Sequence, residues 1–331
     1  MRPIFRGESR TVSRQKILGI GLFLVIVFAI SPRSDDKTLF VSSAIQESSE
    51  TGLDKRLGSS TDYIALKSGA RKPLIYANQY LLLDTNTAEV IIGQGEDSSI
   101  PIASTTKMTT ALVAITKLSL NEVATISNKP PTIQGSKIGL LTGEKITVRS
   151  LIQGLLIYSG NDAAFALAET FAKEPGDYSK FVSEMNDFVA SNHLTNTTYG
   201  DPAGLDDETG RSTPRDLANV ARLLLREPFL AETVATQNLT IWSVDGQISH
   251  QLKNTNRLID VSSSYYLPNT LGIKTGFTLD AGHSMVAAYK WRDRVLIGVV
   301  MNTIESTNTA SAQEMNKLFR WADSALELRN Y

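Results

Sequence analysis

Residues 100–112 read IPIASTTKMTTAL. Ser104 and Lys107 stand three apart where a helical rhythm of apolar residues begins. Met108, Ala111, Leu112, Ile115 and Leu118 keep the spacing of a helix with one buried face. Pro101 lies just before it, and Ser104 is placed to cap the first turn. One turn on, the lysine projects from the same face as the serine. A serine hydroxyl is a weak nucleophile until a neighbouring base takes its proton, and an ammonium is no base. A lysine of pKa about 10.4 is neutral in only ~0.04% of molecules at pH 7, whereas one at about 8 is neutral in ~10%, a shift costing roughly 3 kcal/mol. Burial and a second cation nearby supply shifts of that size. The spacing alone decides nothing, because Ser13/Lys16 and Ser34/Lys37 share it. Neither of those pairs opens a domain helix.

Around this stretch the chain reads as mixed α and β. QYLLLD and AEVIIG flank the turn residues Asp84-Thr85-Asn86-Thr87 and predict a β-hairpin. Residues 105–260 read as mainly helical, with VRSLIQGLLIY and DAAFALAETFA split by Ser159-Gly160-Asn161. Strands return in NTLGIKTGF, HSMVAAYK and RVLIGVVMN, and a helix over about 309–328 closes the chain. Strands at both ends with helices between them fit one antiparallel sheet built from both ends of the domain, with an inserted helical lobe: an α+β fold.

Composition narrows the chemistry. The 331 residues are 42% hydrophobic and 20% charged with net charge −1, so no general attraction to nucleic acid follows. The absence of cysteine excludes disulfides, thiolate metal sites and cysteine nucleophiles. His193, His250 and His283 stand far apart and in no H-E-x-x-H arrangement, so no metal site is expected, and there is no G-x-S-x-G elbow. Arg2, Arg6, Arg10, Arg14 and Lys16 precede the apolar run ILGIGLFLVIVFAI. We read residues 1–16 as a basic cytoplasmic tail and 17–30 as a signal anchor or signal-peptide h-region. As a helix the run is about 21 Å long, short for a span, and Arg14 and Lys16 would snorkel to extend it. No good cleavage site follows, which favours the anchor. Residues 31–62, rich in Ser, Thr, Asp, Glu and Lys, read as a flexible linker, and globular signals start at 63. The expected location is therefore extracytoplasmic, tethered to the cell membrane through residues 17–30, or secreted if that segment is cleaved.

Two further short motifs follow Ser104-x-x-Lys107 in order. They are Ser159-Gly160-Asn161 between two helices and Lys274-Thr275-Gly276 on a late strand. Each is weak alone, since Ser119/Asn121, Ser306/Asn308 and Lys67-Ser68-Gly69 imitate them. In this order the three form the S-x-x-K, S-x-N, K-T-G set of penicillin-binding proteins and β-lactamases. The segments PIASTTKMTTAL, LLIYSGNDAAFALAE, GDPAGLDDETGRSTPRDLANVARLLL and GIKTGFTLDAGHSMVAA widen the likeness. From about 75 to 325 the sequence resembles the low-molecular-mass penicillin-binding proteins, the serine D-alanyl-D-alanine carboxypeptidases.

The resemblance implies a β-lactamase/D,D-peptidase-like fold with its catalytic domain at 63–331. It implies removal of the terminal D-alanine from peptidoglycan stem peptides through an acyl-serine intermediate, acylation by β-lactams, and no cofactor. Ser104 would be the nucleophile and Lys107 its base, with Lys274 as the second cation. Ser159 would relay a proton to the leaving amine, and Asn161 would hold the substrate amide or the Lys107 ammonium. Thr275, with Lys274 behind it, would bind the terminal carboxylate, and Gly276 would let substrate backbone lie along the strand edge. The backbone N–H groups of Ser104 and Phe277 would form the oxyanion hole. Asp162 reads as a helix cap, DPAG at 201–204 as a turn, His283 as a strand-surface residue, and Trp242, Trp291 and Trp321 as packing residues. A D,D-endopeptidase cutting cross-links and a penicillin-binding sensor without turnover are the alternatives. A β-lactamase is disfavoured, because no E-x-x-L-N segment follows Ser159. Many relatives carry a further C-terminal β-rich domain and an amphipathic anchor. Here Tyr331 follows soon after the last expected helix, and the N-terminal segment is expected to take over the tethering.

Overall fold

The apolar runs YLLLD (80–84) and RVLIGVV (294–300) lack the polar alternation of a half-exposed strand and so need cover on both faces. The computed structural model describes residues 62–206 and 208–330 and provides that cover. The segments 1–16 and 17–30, and all of 31–62 but its last residue, lie outside the described residues. Among the described residues no helix is long and apolar enough to cross a membrane.

The chain enters through β1 (Asp62–Leu66), the hairpin β2 (Ala77–Asp84) and β3 (Val90–Gln94), and the short β4 (Ile100–Pro101). A 3₁₀ turn, Ala103–Thr106, leads into α1 (Lys107–Lys117). Next come β5 (Val123–Thr125), β6 (Lys145–Thr147), α2 (Val148–Ile157), α3 (Asn161–Ala172) and α4 (Ser179–Ser191). Then follow β7 (Arg211–Ser212), α5 (Pro214–Arg226), α6 (Pro228–Ala235), β8 (Asn238–Trp242) and β9 (Ser249–Lys253). The chain returns through β10 (Thr270–Thr278), β11 (Gly282–Trp291) and β12 (Arg294–Thr303), then α7 (Ala310–Ala325) and β13 (Leu326–Asn330). The main sheet is antiparallel, in the order β10-β11-β12-β2-β3, so strands from both ends of the domain meet at the β12–β2 pair. The α+β fold with a helical lobe between the sheet-forming halves is as the sequence implied.

Residues that alternate along a strand go to opposite sides. Leu81, Leu83, Ile297 and Val299 join a cluster with Leu112, Leu155 and Leu217 of the helical lobe. Tyr80, Leu82, Leu296 and Val300 join another with Met315, Leu318 and Phe319 of α7. Thr147 and Thr213 start α2 and α5 by accepting the backbone N–H groups of Ser150 and Asp216.

Three local expectations need correction. Ser104 does not cap the helix: it lies inside the 3₁₀ turn, and its hydroxyl faces Lys107 instead. The region 105–260 is not helical throughout, since β8 and β9 form a hairpin that Asp245-Gly246 signals in the sequence. The last helix stops at Ala325, because Leu326–Asn330 pair with β1.

Candidate active site

The 3₁₀ turn, the α2–α3 junction and strand β10 bring the three motifs to one cleft of about 500 Å³, lined by Ser104, Ser159, Thr275 and Phe277 among others. Lys107, on the first residue of α1, is fully buried. Its Nζ lies 2.6 Å from Ser104 Oγ and 2.7 Å from the Ala203 carbonyl oxygen. Burial pulls the Lys107 amine down from 10.5 to about 7, against the opposing pull of the Asp201 and Asp162 carboxylates. Lys274, on β10, is buried as deeply; its Nζ donates to Ser159 Oγ at 2.8 Å and to the Thr275 carbonyl at 2.9 Å. Burial first, and then the charge of Lys107, hold the Lys274 amine well below its ordinary range. Burial is thus the first cause of the depression at both amines.

Two backbone turns aim the hydroxyls. Ala103 has φ of +48° and Ser159 has φ of +68°, both in the left-handed region that residues with a side chain rarely adopt. Each sits at or beside a reactive serine. Gly276 lies inside β10, and packing also requires a glycine there. A Cβ there would stand 3.1 Å from the Ile102 carbonyl oxygen, 3.2 Å from Ala103 Cβ and 3.3 Å from Ser104 N. The missing side chain lets the strand press against the nucleophile's turn, so the Ser104 and Phe277 amides belong to one packed unit. β10 is also the edge of the main sheet, paired only with β11 among the described strands.

Asn161 does not hold Lys107, and Asp162 does other work than capping. The Asn161 side-chain amide donates to the Gln134 carbonyl at 2.6 Å and its backbone N–H to the Ser136 carbonyl at 2.7 Å. It makes no hydrogen bond to Lys107, whose donors go to Ser104 and Ala203. Asp162 is not the helix cap, which is Gly160. Its buried carboxylate accepts the backbone N–H groups of Ile138, Gly139 and Leu140 and so binds the 134–140 loop to α3. His283 stacks on Phe277 with ring centroids 4.2 Å apart, and both line the cleft; Phe277 is 52% exposed. Trp291 packs as expected, but Trp242 is 53% exposed.

Sequence reasoning missed two contributions. DPAG is more than a turn: the Asp201 carboxylate accepts the N–H groups of Ala203, Gly204 and Leu205, which turns the Ala203 carbonyl onto Lys107. The signal was an Asx turn written as D-P-A-G. The second is Thr255, whose Oγ1 lies 2.7 Å from Thr275 Oγ1 at the cleft wall.

A family model described as D-alanyl-D-alanine carboxypeptidase, Peptidase_S11, matches residues 67–305. The D-alanyl-D-alanine carboxypeptidase DacF of Bacillus subtilis is 29% identical over 257 residues, covering 76% of this chain and 63% of its own length. The D-alanyl-D-alanine carboxypeptidase DacA of Escherichia coli K12 is 32% identical over 270 residues, covering 78% of this chain and 63% of its own. The chain thus spans less than two thirds of the length of either relative. Among solved structures, the Streptomyces K15 DD-transpeptidase superposes with a TM-score of 0.70 at 28% identity, covering 77% of this chain and all of its own. With that family model matching most of its length, and with the three motifs gathered in one cleft, this chain belongs to the D-alanyl-D-alanine carboxypeptidase family, Peptidase_S11.

Proposed function

We propose that this chain is a serine D,D-carboxypeptidase that removes the terminal D-alanine from peptidoglycan stem peptides and is acylated by β-lactams. The observation that carries the reading is the 2.6 Å contact between Ser104 Oγ and a Lys107 amine that is half deprotonated near pH 7. The free amine takes the hydroxyl proton as Ser104 Oγ attacks the carbonyl of the penultimate residue. Backbone N–H groups of Ser104 and Phe277 receive the oxyanion, each such donor being worth about 3 kcal/mol. The C–N bond then breaks, and the leaving amine takes a proton through Ser159, which is hydrogen-bonded to Lys274. Water hydrolyses the acyl-serine ester and returns Ser104. An extended peptide lies along the open edge of β10 by β-augmentation. The activity belongs outside the cytoplasm, with residues 17–30 holding the domain to the membrane.

The test is D-alanine release from a D-alanyl-D-alanine peptide, with labelled penicillin mapped by mass. Release by wild type, and label on Ser104 alone, are expected. Release that persists in Ser104→Ala overturns the assignment.

A further inference from the structure

Between Asp62 and Asp84 the sequence holds no acidic residue, although the whole chain carries net charge −1. Within that run residues 67–76, KSGARKPLIY, join β1 to β2 and lie along α7. Hydrogen bonds fix them there. The Lys67 N–H donates to the Ala325 carbonyl and its Nζ to the Ser324 carbonyl, both at 2.8 Å. The Trp321 indole N–H donates to the Arg71 carbonyl at 2.7 Å, and the Tyr76 N–H to the Glu314 carboxylate at 2.9 Å. These contacts run from Ala325 back to Glu314, about 16 Å of helix at 1.5 Å per residue. A segment held in this way cannot fold its outward side chains away. Arg71 and Lys72 are exposed, and so are Leu66, Leu74 and Tyr76, Leu74 at 69%. Lys317, whose ammonium stands over the Tyr76 ring, is paired with Glu314 at 2.6 Å. No carboxylate pairs with Lys67, Arg71 or Lys72 among the described residues.

Unpaired cations and exposed apolar side chains on one rigid face call for a partner that takes both. The buried centre of a protein interface is depleted in lysine. An anionic bilayer offers phosphates to the cations and, a few ångströms deeper, an acyl boundary to leucine and tyrosine. The chain also enters the domain at this face: β1 opens at Asp62 and ends at Leu66, and the apolar run 17–30 lies upstream of it. We propose that the 66–76 face docks on an anionic lipid bilayer, with Lys67, Arg71 and Lys72 at the phosphate headgroups and Leu66, Leu74 and Tyr76 at the acyl boundary. The inference rests on the reading under Proposed function that residues 17–30 hold the domain to the membrane, and it adds an orientation. One face of the domain lies on the lipid instead of swinging at the end of the linker. Each signal strengthens the other, because a surface already tethered near lipid binds it at high effective concentration.

The chain has no cysteine, so Ser68→Cys and, at the β8–β9 tip, Gln247→Cys each give the full chain a single attachment point for an environment-sensitive dye. The vesicles are phosphatidylcholine alone, or two parts of it to one of phosphatidylglycerol. On the anionic vesicles the dye at 68 is expected to brighten and shift to the blue, as on leaving water, while the dye at 247 keeps its aqueous spectrum. High salt cancels the shift, and so does Arg71→Glu combined with Lys72→Glu. The same spectrum at 68 on both lipids, or a shift that survives either the salt or the double variant, overturns the proposal. An equal shift with soluble polyphosphate in place of vesicles overturns it too, since the site would then bind a polyanion without lipid. If wild type does not stay with phosphatidylcholine vesicles, the tether reading fails by itself. The face is then judged by flotation with the anionic vesicles, where the basic residues of 1–16 act equally in wild type and variant. At roughly fivefold per charge, the double variant should partition at least tenfold less than wild type. A smaller fall overturns the proposal.

Discussion

A methyl group on Gly204 would stand 1.9 Å from the carbonyl oxygen of Ala103. The loop that offers Lys107 its carbonyl therefore lies directly against the turn that carries Ser104. Gly204 also has φ of +76°, where a side chain is strained whatever the space. We expect Gly204→Ala to lose at least about 3 kcal/mol of stability, since backbone cannot give way as a side chain can. Urea unfolding measures this. Penicillin acylation of the fraction that remains folded should fall as well, because the Ala203 carbonyl moves off Lys107.

The Lys107 amine sets the acid limb of acylation. Its value of about 7 predicts a rate that rises through neutral pH and levels off above about 8, read by stopped-flow or quenched reaction with a reporter β-lactam. The same group links stability to pH. The unfolded chain keeps this proton up to about 10.5, and the folded one releases it above about 7. The unfolded state then binds more protons across that window, so stability rises with pH by up to about 1.4 kcal/mol per unit. Lys274 acts in the same sense. Urea titrations of Lys107→Met should show a shallower rise, and a slope identical to wild type would refute the linkage.

Gly276→Ala tests the packing of strand against turn. The added Cβ meets its neighbours at 3.1–3.3 Å, so they must yield by a few tenths of an ångström. A cost of about 1–3 kcal/mol is expected. The loss in acylation, about tenfold or more, should exceed what the folded fraction explains, because the group displaced is the Ser104 amide.

His250 faces two acceptors, the Ile138 carbonyl at 3.1 Å and the Glu144 carboxylate at 2.8 Å. Such a ring is held with a proton on each nitrogen, and the hydrogen bond to Glu144 first of all raises its pKa above 6.5. Its contribution to stability is therefore complete below about 6.5 and lost as pH climbs through the raised value. His250→Phe leaves Glu144 buried without its partner, which should cost about 3–5 kcal/mol. Hydrogen exchange should quicken at the Ile138, Gly139 and Leu140 amides, the same loop that Asn161 and Asp162 hold. Unchanged exchange there would separate His250 from the loop.

Much of this was legible in the residues. The periodicity of α1, the hairpin of β2 and β3, and the order of the three motifs led to the α+β arrangement and to Ser104, Lys107, Ser159 and Lys274 in one cleft. Such signals are local, or arise from a rare conjunction of residue types. The unread parts depend on contacts between distant segments. Nothing near Gly276 announces that its neighbour is Ser104, and nothing near Ala203 announces Lys107. The left-handed φ of Ala103 and Ser159 was equally hidden, since neither residue type favours it and only surrounding packing enforces it.

The pairing of β1 with β13 sets Asp62 directly opposite Asn330, so backbone atoms from the two extremities of the domain lie side by side, Cα atoms about 5 Å apart. The folded unit is close to a closed ring. A few residues would join 62 to 330, and the polypeptide could be reopened at the exposed Asp245-Gly246 tip without breaking the main sheet. Such a circular permutant would keep every residue of the cleft in place while moving the chain ends to that tip.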